Sequence, residues 1–242
     1  MNLKNKNSYT LFFIHIPKTA GTTLSFIMDE QYNSNNVFAI DGGNVKDSTE
    51  QFKNLPDEEK NKYNLVWGHM NFGVHKALNK QSTYITLLRD PVDRLISHYY
   101  FAKQTPHHYL YNKIKLYNMD LKGYVMGGLT NEADNGQVRD LSGIEDIEFG
   151  KCSQEILEIA KKNIEEHFSL VGLTERFGDT LKILRKKFGW KIDPFYPKQR
   201  VNDCRPKKEM VEKNTVKIIE NFNRLDVELY KWCKERFEVE LV

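Results

Sequence analysis

Three short stretches carry the residues that could do chemistry. The first is His15-Ile16-Pro17-Lys18-Thr19-Ala20-Gly21-Thr22-Thr23-Leu24. Its small residues let the backbone come close to a ligand, and Gly21 tolerates unusual dihedrals. A helix start follows, where unpaired N–H groups and the helix dipole favour an anion. Lys18 adds a mobile positive charge, and Thr19, Thr22 and Thr23 add hydroxyls. In chemical terms this is a phosphate or sulfate cradle. It lacks the order of the usual nucleotide P-loop, because here the Lys precedes the Gly.

The second stretch runs from Tyr84 to Tyr100 and has the same strand-then-helix form. Arg89 lies at the strand's carboxyl end, and its planar donor fork suits a phosphate. Ser97 lies two helical turns further on and adds a hydroxyl on the same side. Asp90 or Asp93 either holds Arg89 or Arg94 in place or favours the helix start. A competing reading makes Leu87-Leu88-Arg89-Asp90 the acidic strand end of an NTPase, with Asp90 near magnesium. The missing Lys-Ser/Thr partner speaks against it.

The third stretch is Leu65-Val66-Trp67-Gly68-His69. His69 follows an apolar run and so sits at another strand end. Imidazole titrates near neutrality, so His69 is the candidate general base; the alternative is a structural His that caps the strand. His75 is a weaker candidate, and His15 reads as support for the first loop.

These positions must be held by elements, and the chain has them. Tyr9–Ile16, Asn64–Gly68, Thr83–Leu88 and Ser169–Leu173 read as strands. Leu24–Tyr32, Pro91–Ala102 and Ser153–Phe168 read as helices, as does the Phe177–Phe188 stretch closed by Gly189. Val211, Ile218, Phe222, Leu225, Leu229 and Trp232 lie on one face of a long C-terminal helix. Asn33–Lys62 is polar with turn signals, and Gln104–Gly150 is the irregular part, suited to a lid or a substrate-binding region. Strands alternating with helices indicate an α/β domain with a mainly parallel sheet, spanning the whole chain as one unit. Ligands bind beyond the carboxyl ends of such strands.

Composition bounds the function. The 242 residues hold 36 Lys and Arg against 33 Asp and Glu, a net charge of +3. That balance argues against a dedicated nucleic-acid binder. No apolar run approaches the roughly 20 residues of a membrane helix. Cys152, Cys204 and Cys233 are too few and too scattered for a disulfide framework or a zinc site. Reduced thiols and a cytoplasmic location are expected.

Pro17-Lys18-Thr19-Ala20-Gly21-Thr22-Thr23 resembles the 5′-phosphosulfate loop of sulfotransferases, and the stretch from Leu88 to Tyr99 resembles their 3′-phosphate motif. The branch most resembled contains heparan sulfate 2-O-sulfotransferase and small bacterial relatives. Trp67–Gly73 and Val171–Phe177 support the likeness, which extends from about Phe12 to Gly189. The resemblance implies a P-loop-NTPase-like three-layer fold and the donor 3′-phosphoadenosine 5′-phosphosulfate (PAPS), with no metal required. It implies that Lys18, Thr19, Ala20, Gly21, Thr22 and Thr23 hold the 5′ phosphosulfate, and that Arg89 and Ser97 hold the 3′ phosphate. His69 matches the family's base, and Lys18 is the candidate for charge on the leaving oxygen. Asn135–Gly143 resembles an acceptor-side segment, so Gln137, Arg139 and His75 are expected at a glycan or other small acceptor. Arg200 is expected to close over the donor. An ATP- and magnesium-dependent kinase-like enzyme and a non-catalytic nucleotide-binding protein are the rival functions.

Overall fold

The computed structural model describes residues 2–192 and 205–241. Five strands form one sheet: β1 (Thr10–Ile14), β2 (Val37–Ala39), β3 (Leu65–Gly68), β4 (Ser82–Leu88) and β5 (Phe168–Leu173). All pairings are parallel and the order is β2-β3-β1-β4-β5. The helices are α1 (Gly21–Asp29), α2 (Val45–Asn54), α3 (Asp57–Lys60), α4 (Pro91–Gln104), α5 (Tyr111–Leu116) and α6 (Leu121–Met126). They continue with α7 (Gly136–Ser142), α8 (Gln154–His167), α9 (Phe177–Phe188), α10 (Lys213–Phe222) and α11 (Arg224–Leu241). A parallel sheet flanked by helices is the α/β architecture that the alternating pattern implies.

The strand order follows from hydrophobicity. Every residue of β1 is buried, which only a central strand covered on both faces allows. β2 is short and only half-buried, and it takes an edge. The Phe12 ring stacks on Tyr84 of β4 at 4.9 Å and meets Phe52 of α2 edge-on at 6.2 Å. Each such ring adds about 1.5–3 kcal/mol by leaving water.

Three sequence readings change. β2 and α2 arise within the stretch read as polar turns; α2 carries one large apolar anchor, Phe52, so it has little periodic signal. The segment read as irregular contains α5, α6 and α7. With α4 and α10 the first two of these build a second apolar cluster, including Tyr99, Ile114, Tyr124 and Ile219. The long C-terminal helix is two helices. They part at Asn223, whose fully buried amide donates to the Ala133 and Ile219 carbonyls while its oxygen accepts from Asn135 N–H.

A buried charge joins these layers. Arg94 of α4 has no exposed surface. Its Nη1 donates to Glu132 Oε2 at 2.6 Å and its Nη2 to the Glu132 carbonyl at 2.7 Å. Asp226 of α11 lies 3.6 Å from Nη2. The Asp226 carboxylate also accepts from Gln137 and Val138 N–H, which caps the start of α7. Removing Arg94 leaves two buried acids uncompensated. Arg94→Leu is expected to cost about 3–5 kcal/mol in urea unfolding; a loss below about 1 kcal/mol would show that the acids relax by taking up protons or water.

Candidate functional site

His15, His69 and Arg89 are each the first residue after a strand: β1, β3 and β4. Those three strands are neighbours and parallel, so the three side chains start from one edge of the sheet. The chain leaves β1 toward β2 on one side and later crosses to β4 on the other. The crevice at such a reversal of strand order is where open α/β sheets bind ligands.

The first loop is wound tightly. Lys18 and Ala20 both have positive φ, 69° and 66°. The Thr19 hydroxyl is buried and donates to the Ile16 carbonyl at 2.8 Å, so it fixes the loop rather than facing a ligand. Ala20 stands at the N-cap of α1, where its side chain can accept nothing. The N–H groups of Gly21 and Thr22 find no carbonyl among the described residues. That helix start is therefore open to an anion. Gly21 has a steric reason as well: a Cβ there would come within 2.0 Å of the His15 ring. Thr22 is half-buried and Thr23 buried in the first turn. The Lys18 ammonium rests 3.8 Å above the Phe101 ring of α4.

Arg89 links this loop to β4. Its Nη1 donates to the Lys18 carbonyl at 3.1 Å, and no ion pair holds it among the described residues. Burial presses against its charge, Arg205 adds to that, and Asp93, Glu175 and Asp90 partly offset both. Ser97 is buried, and no hydrogen bond within the described residues uses its hydroxyl. The start of α4, by contrast, is closed. The Asp90 carboxylate accepts from Val92 and Asp93 N–H at 3.0 Å and pairs with Lys208 at 3.1 Å. One helix start is open at this edge, not two.

His69 has a defined tautomer. Its Nδ1 lies 2.6 Å from the His15 carbonyl oxygen, which can only accept. Nδ1 therefore carries the proton, and the neutral ring presents a lone pair at Nε2. The ring stacks on His15 at 4.4 Å between centroids. Gly68 before it has φ of 148°, and a Cβ there would meet Ile40 at 2.6 Å. Only glycine lets the chain turn His69 into the crevice beside that strand edge.

Burial corrects one sequence expectation, and two other residues have structural partners. Gln137 has no exposed surface and does not face an acceptor. Its amide clamps Arg89, accepting from the Arg89 N–H at 3.0 Å and donating to the Arg89 carbonyl at 3.1 Å. Arg139 ion-pairs with Asp134 and donates to the Ile147 and Glu148 carbonyls, so it straps the 144–150 segment in place. His75 packs against Phe72, Tyr84 and His167, and its Nδ1 meets the Tyr84 hydroxyl at 3.0 Å. Arg200 lies outside the described residues. Sequence reasoning missed the Thr174 hydroxyl, which reaches the Thr19 and Leu88 carbonyls at 2.9 and 3.0 Å and ties loop to strand. The only signal was its place in the Val171–Phe177 stretch. The carboxylate of Glu132 was missed too: burial opposes its charge, but Arg94 and His98 hold it below the usual range, with His69 close enough to add to the effect.

An uncapped helix start, a desolvated arginine and an oriented imidazole at one edge of a parallel sheet define an anion-binding α/β domain. The comparisons with known proteins identify which kind. The model of the sulfotransferase family matches residues 2–232, and the chain belongs to that family. Human heparan-sulfate 6-O-sulfotransferase 1 is 32% identical over 185 residues, covering 64% of this chain and 43% of that protein. The Caenorhabditis elegans heparan sulfate 2-O-sulfotransferase hst-2 is 25% identical over 206 residues, covering 76% and 61%. The chain thus spans less than half the length of the human relative. The crystal structure of mouse sulfotransferase SULT7A1 complexed with PAP aligns over 99% of this chain and 91% of that one, at 15% identity and a TM-score of 0.33.

The packed histidine generates a pH dependence. Burial, then the His167 and Lys76 charges, push the His75 imidazole down to about 4. The folded state thus keeps His75 neutral where the unfolded chain would protonate it. Unfolding then takes up a proton, so stability present above about pH 6.5 is lost as pH falls toward 4. His75→Gln should flatten the dependence of the urea midpoint between those limits. An unchanged slope would assign it to other groups, foremost His98, which burial pushes down to about 3.

Proposed function

We propose that the chain transfers a sulfuryl group from PAPS to a hydroxyl of a carbohydrate. The observation that carries this is the joined pair of anion features: an open helix start after β1, and a desolvated Arg89 bonded to the same loop. A donor charged at both its 3′ and 5′ positions needs two such features on one edge. Family membership and the names of its relatives support the same donor and a glycan acceptor.

The reaction follows from the residues. The acceptor oxygen attacks sulfur, the new S–O bond forms, and the S–O bond to the 5′ phosphate breaks. The acceptor proton passes to Nε2 of His69, whose ring the Nδ1–H bond to the His15 carbonyl orients. The departing phosphate oxygen gains charge, and the N–H groups of Gly21 and Thr22 stabilise it. Lys18 swings from the Phe101 face to add a full positive charge there. Ser97 and Arg89 receive the 3′ phosphate. Arg200, outside the described residues, is part of this proposal as a further donor contact. The chemistry needs no metal, and no cluster of three or more metal-ligating side chains occurs among the described residues.

A thermal-shift comparison tests the donor. PAP, the desulfated product, should raise the melting temperature, since a ligand at 100 times its Kd stabilises by about 2.7 kcal/mol. Stabilisation by ATP–magnesium but not by PAP would replace this reading with the kinase-like one. His69→Ala should lower kcat by about 10²-fold or more and leave PAP binding intact. Near-normal turnover would remove His69 as the base, and equal loss of PAP binding would make it structural. Lys18→Ala should lower both PAP affinity and kcat, kcat by roughly 10²-fold; unchanged kinetics would end its leaving-group role.

A further inference from the structure

The turn between α4 and α5 carries a histidine that the mechanism above leaves idle. Its backbone is tied on both sides. The His108 N–H donates to the Thr105 carbonyl and the Tyr111 N–H to the His108 carbonyl, each at 2.9 Å. The Tyr109 hydroxyl meets the Thr130 hydroxyl at 2.8 Å, and Thr130 accepts from the Glu132 N–H at 3.3 Å. The half-buried His108 ring is wedged among three others. Between centroids it stacks on Tyr109 at 4.7 Å and meets Phe101 at 5.5 Å and His98 at 5.6 Å, both nearly perpendicular. Phe101 is also the ring that carries the Lys18 ammonium, so the donor loop and His108 share one aromatic partner.

The ring has a defined tautomer. The Leu110 N–H, which can only donate, reaches His108 Nδ1 at 3.3 Å. Nδ1 is therefore the acceptor, and the neutral ring carries its proton at Nε2. No hydrogen bond among the described residues uses that N–H. His69 has the opposite arrangement, with its proton at Nδ1 and a lone pair at Nε2. A second full positive charge beside the Lys18 ammonium would be repelled, whereas a neutral N–H is not. Burial and then Lys18 push the His108 imidazole below its ordinary range, and Glu132 partly offsets them. Glu132 also acts on His69, so the two rings lie around one carboxylate, with Lys18 beside His108.

We propose that His108 is a further donor-substrate contact: its Nε2–H binds a non-bridging oxygen of the sulfuryl group of PAPS, beside Lys18. This rests on the donor reading above and adds a residue to it. His69 serves the attacking hydroxyl, Lys18 the departing oxygen, and His108 the sulfuryl oxygens between them. A donor held in place beforehand needs no reorganisation while sulfur passes from one oxygen to the other. His108 cannot serve as a second base, because its Nε2 already bears the proton.

The experiment compares PAPS with PAP, which lacks the sulfuryl group, by calorimetric titration of the full chain without acceptor. His108→Phe keeps an aromatic ring and removes the N–H. It should weaken PAPS by about tenfold and leave PAP within about twofold. His108→Gln, whose amide N–H replaces Nε2–H, should restore most of the PAPS affinity. Equal losses for PAPS and PAP would make His108 a structural residue and overturn the proposal. So would unchanged affinity for both, or a Gln variant no better than the Phe variant. Failure of the unaltered chain to bind PAP would instead sink the donor reading. Nitrogen-15 spectra of labelled histidine give a second readout, with the His108 signals assigned by their loss in His108→Gln. They should show Nδ1 bare and Nε2 protonated, with Nε2 shifted by PAPS and not by PAP. The opposite tautomer, or the same response to both ligands, overturns the assignment.

Discussion

The Arg94 guanidinium has no path to water, and the site is built outward from that constraint. It must be neutralised where it stands, and Glu132 and Asp226 do so. Asp226 then uses its remaining lone pairs on the first N–H groups of α7. That fixes Gln137, whose side-chain amide fixes the backbone of Arg89. Arg89 in turn holds the Lys18 carbonyl and with it the loop after β1. A continuous chain of one ion pair followed by hydrogen bonds therefore runs from the interior of α4 to the anion loop. Coupling by such chains is strong because every interior group left unpaired carries a desolvation penalty. The anion loop keeps its left-handed turns because its neighbours are held from behind.

Residues with local chemistry were legible in the sequence, and residues with long-range partners were not. The anion loop could be read because cradle, charge and helix start occupy consecutive positions. His69 could be read because a strand end precedes it. The parallel sheet could be read from the apolar runs at Thr10–Ile14 and Ser82–Leu88, which are buried along nearly their whole length. Gln137 was misplaced because a polar residue in a segment without periodicity looks solvated. Its partner, Arg89, is fixed only when α7 docks. Asn223 interrupts a helical face that looks continuous, and only its buried contacts with Ala133 and Asn135 show why. β2 has three residues and a weak pattern, so its pairing with β3 alone defines it.

The two strand-to-helix turns look alike in sequence and differ in electrostatics. After β1 the helix begins at Ala20, which offers no side-chain acceptor, and the free N–H groups stay available. After β4 the helix begins at Asp90, whose own carboxylate satisfies two N–H groups. The first helix start can bind an anion through its backbone; the second is self-satisfied and leaves the work to Arg89 and Ser97. Arg205 and Lys208 meet the acids of that second turn, Asp93 and Asp90. Their charge is spent there, and Arg89 beside them has no ion pair among the described residues. A net charge of +3 over 242 residues therefore says little about ligand choice, because pairing decides which charges remain.

The same reasoning explains why acids gather beside a site for an anionic donor. Glu132 lies against Arg94, close to both His69 and His98. A carboxylate near His69 would disfavour the donor if it were uncompensated. Held by Arg94, it presents little net charge toward the loop. A buried pair of this kind adds little to stability compared with an apolar replacement. Its place in the interior is better accounted for by what the Arg94 cluster positions, since Asp226 beside it also holds the start of α7.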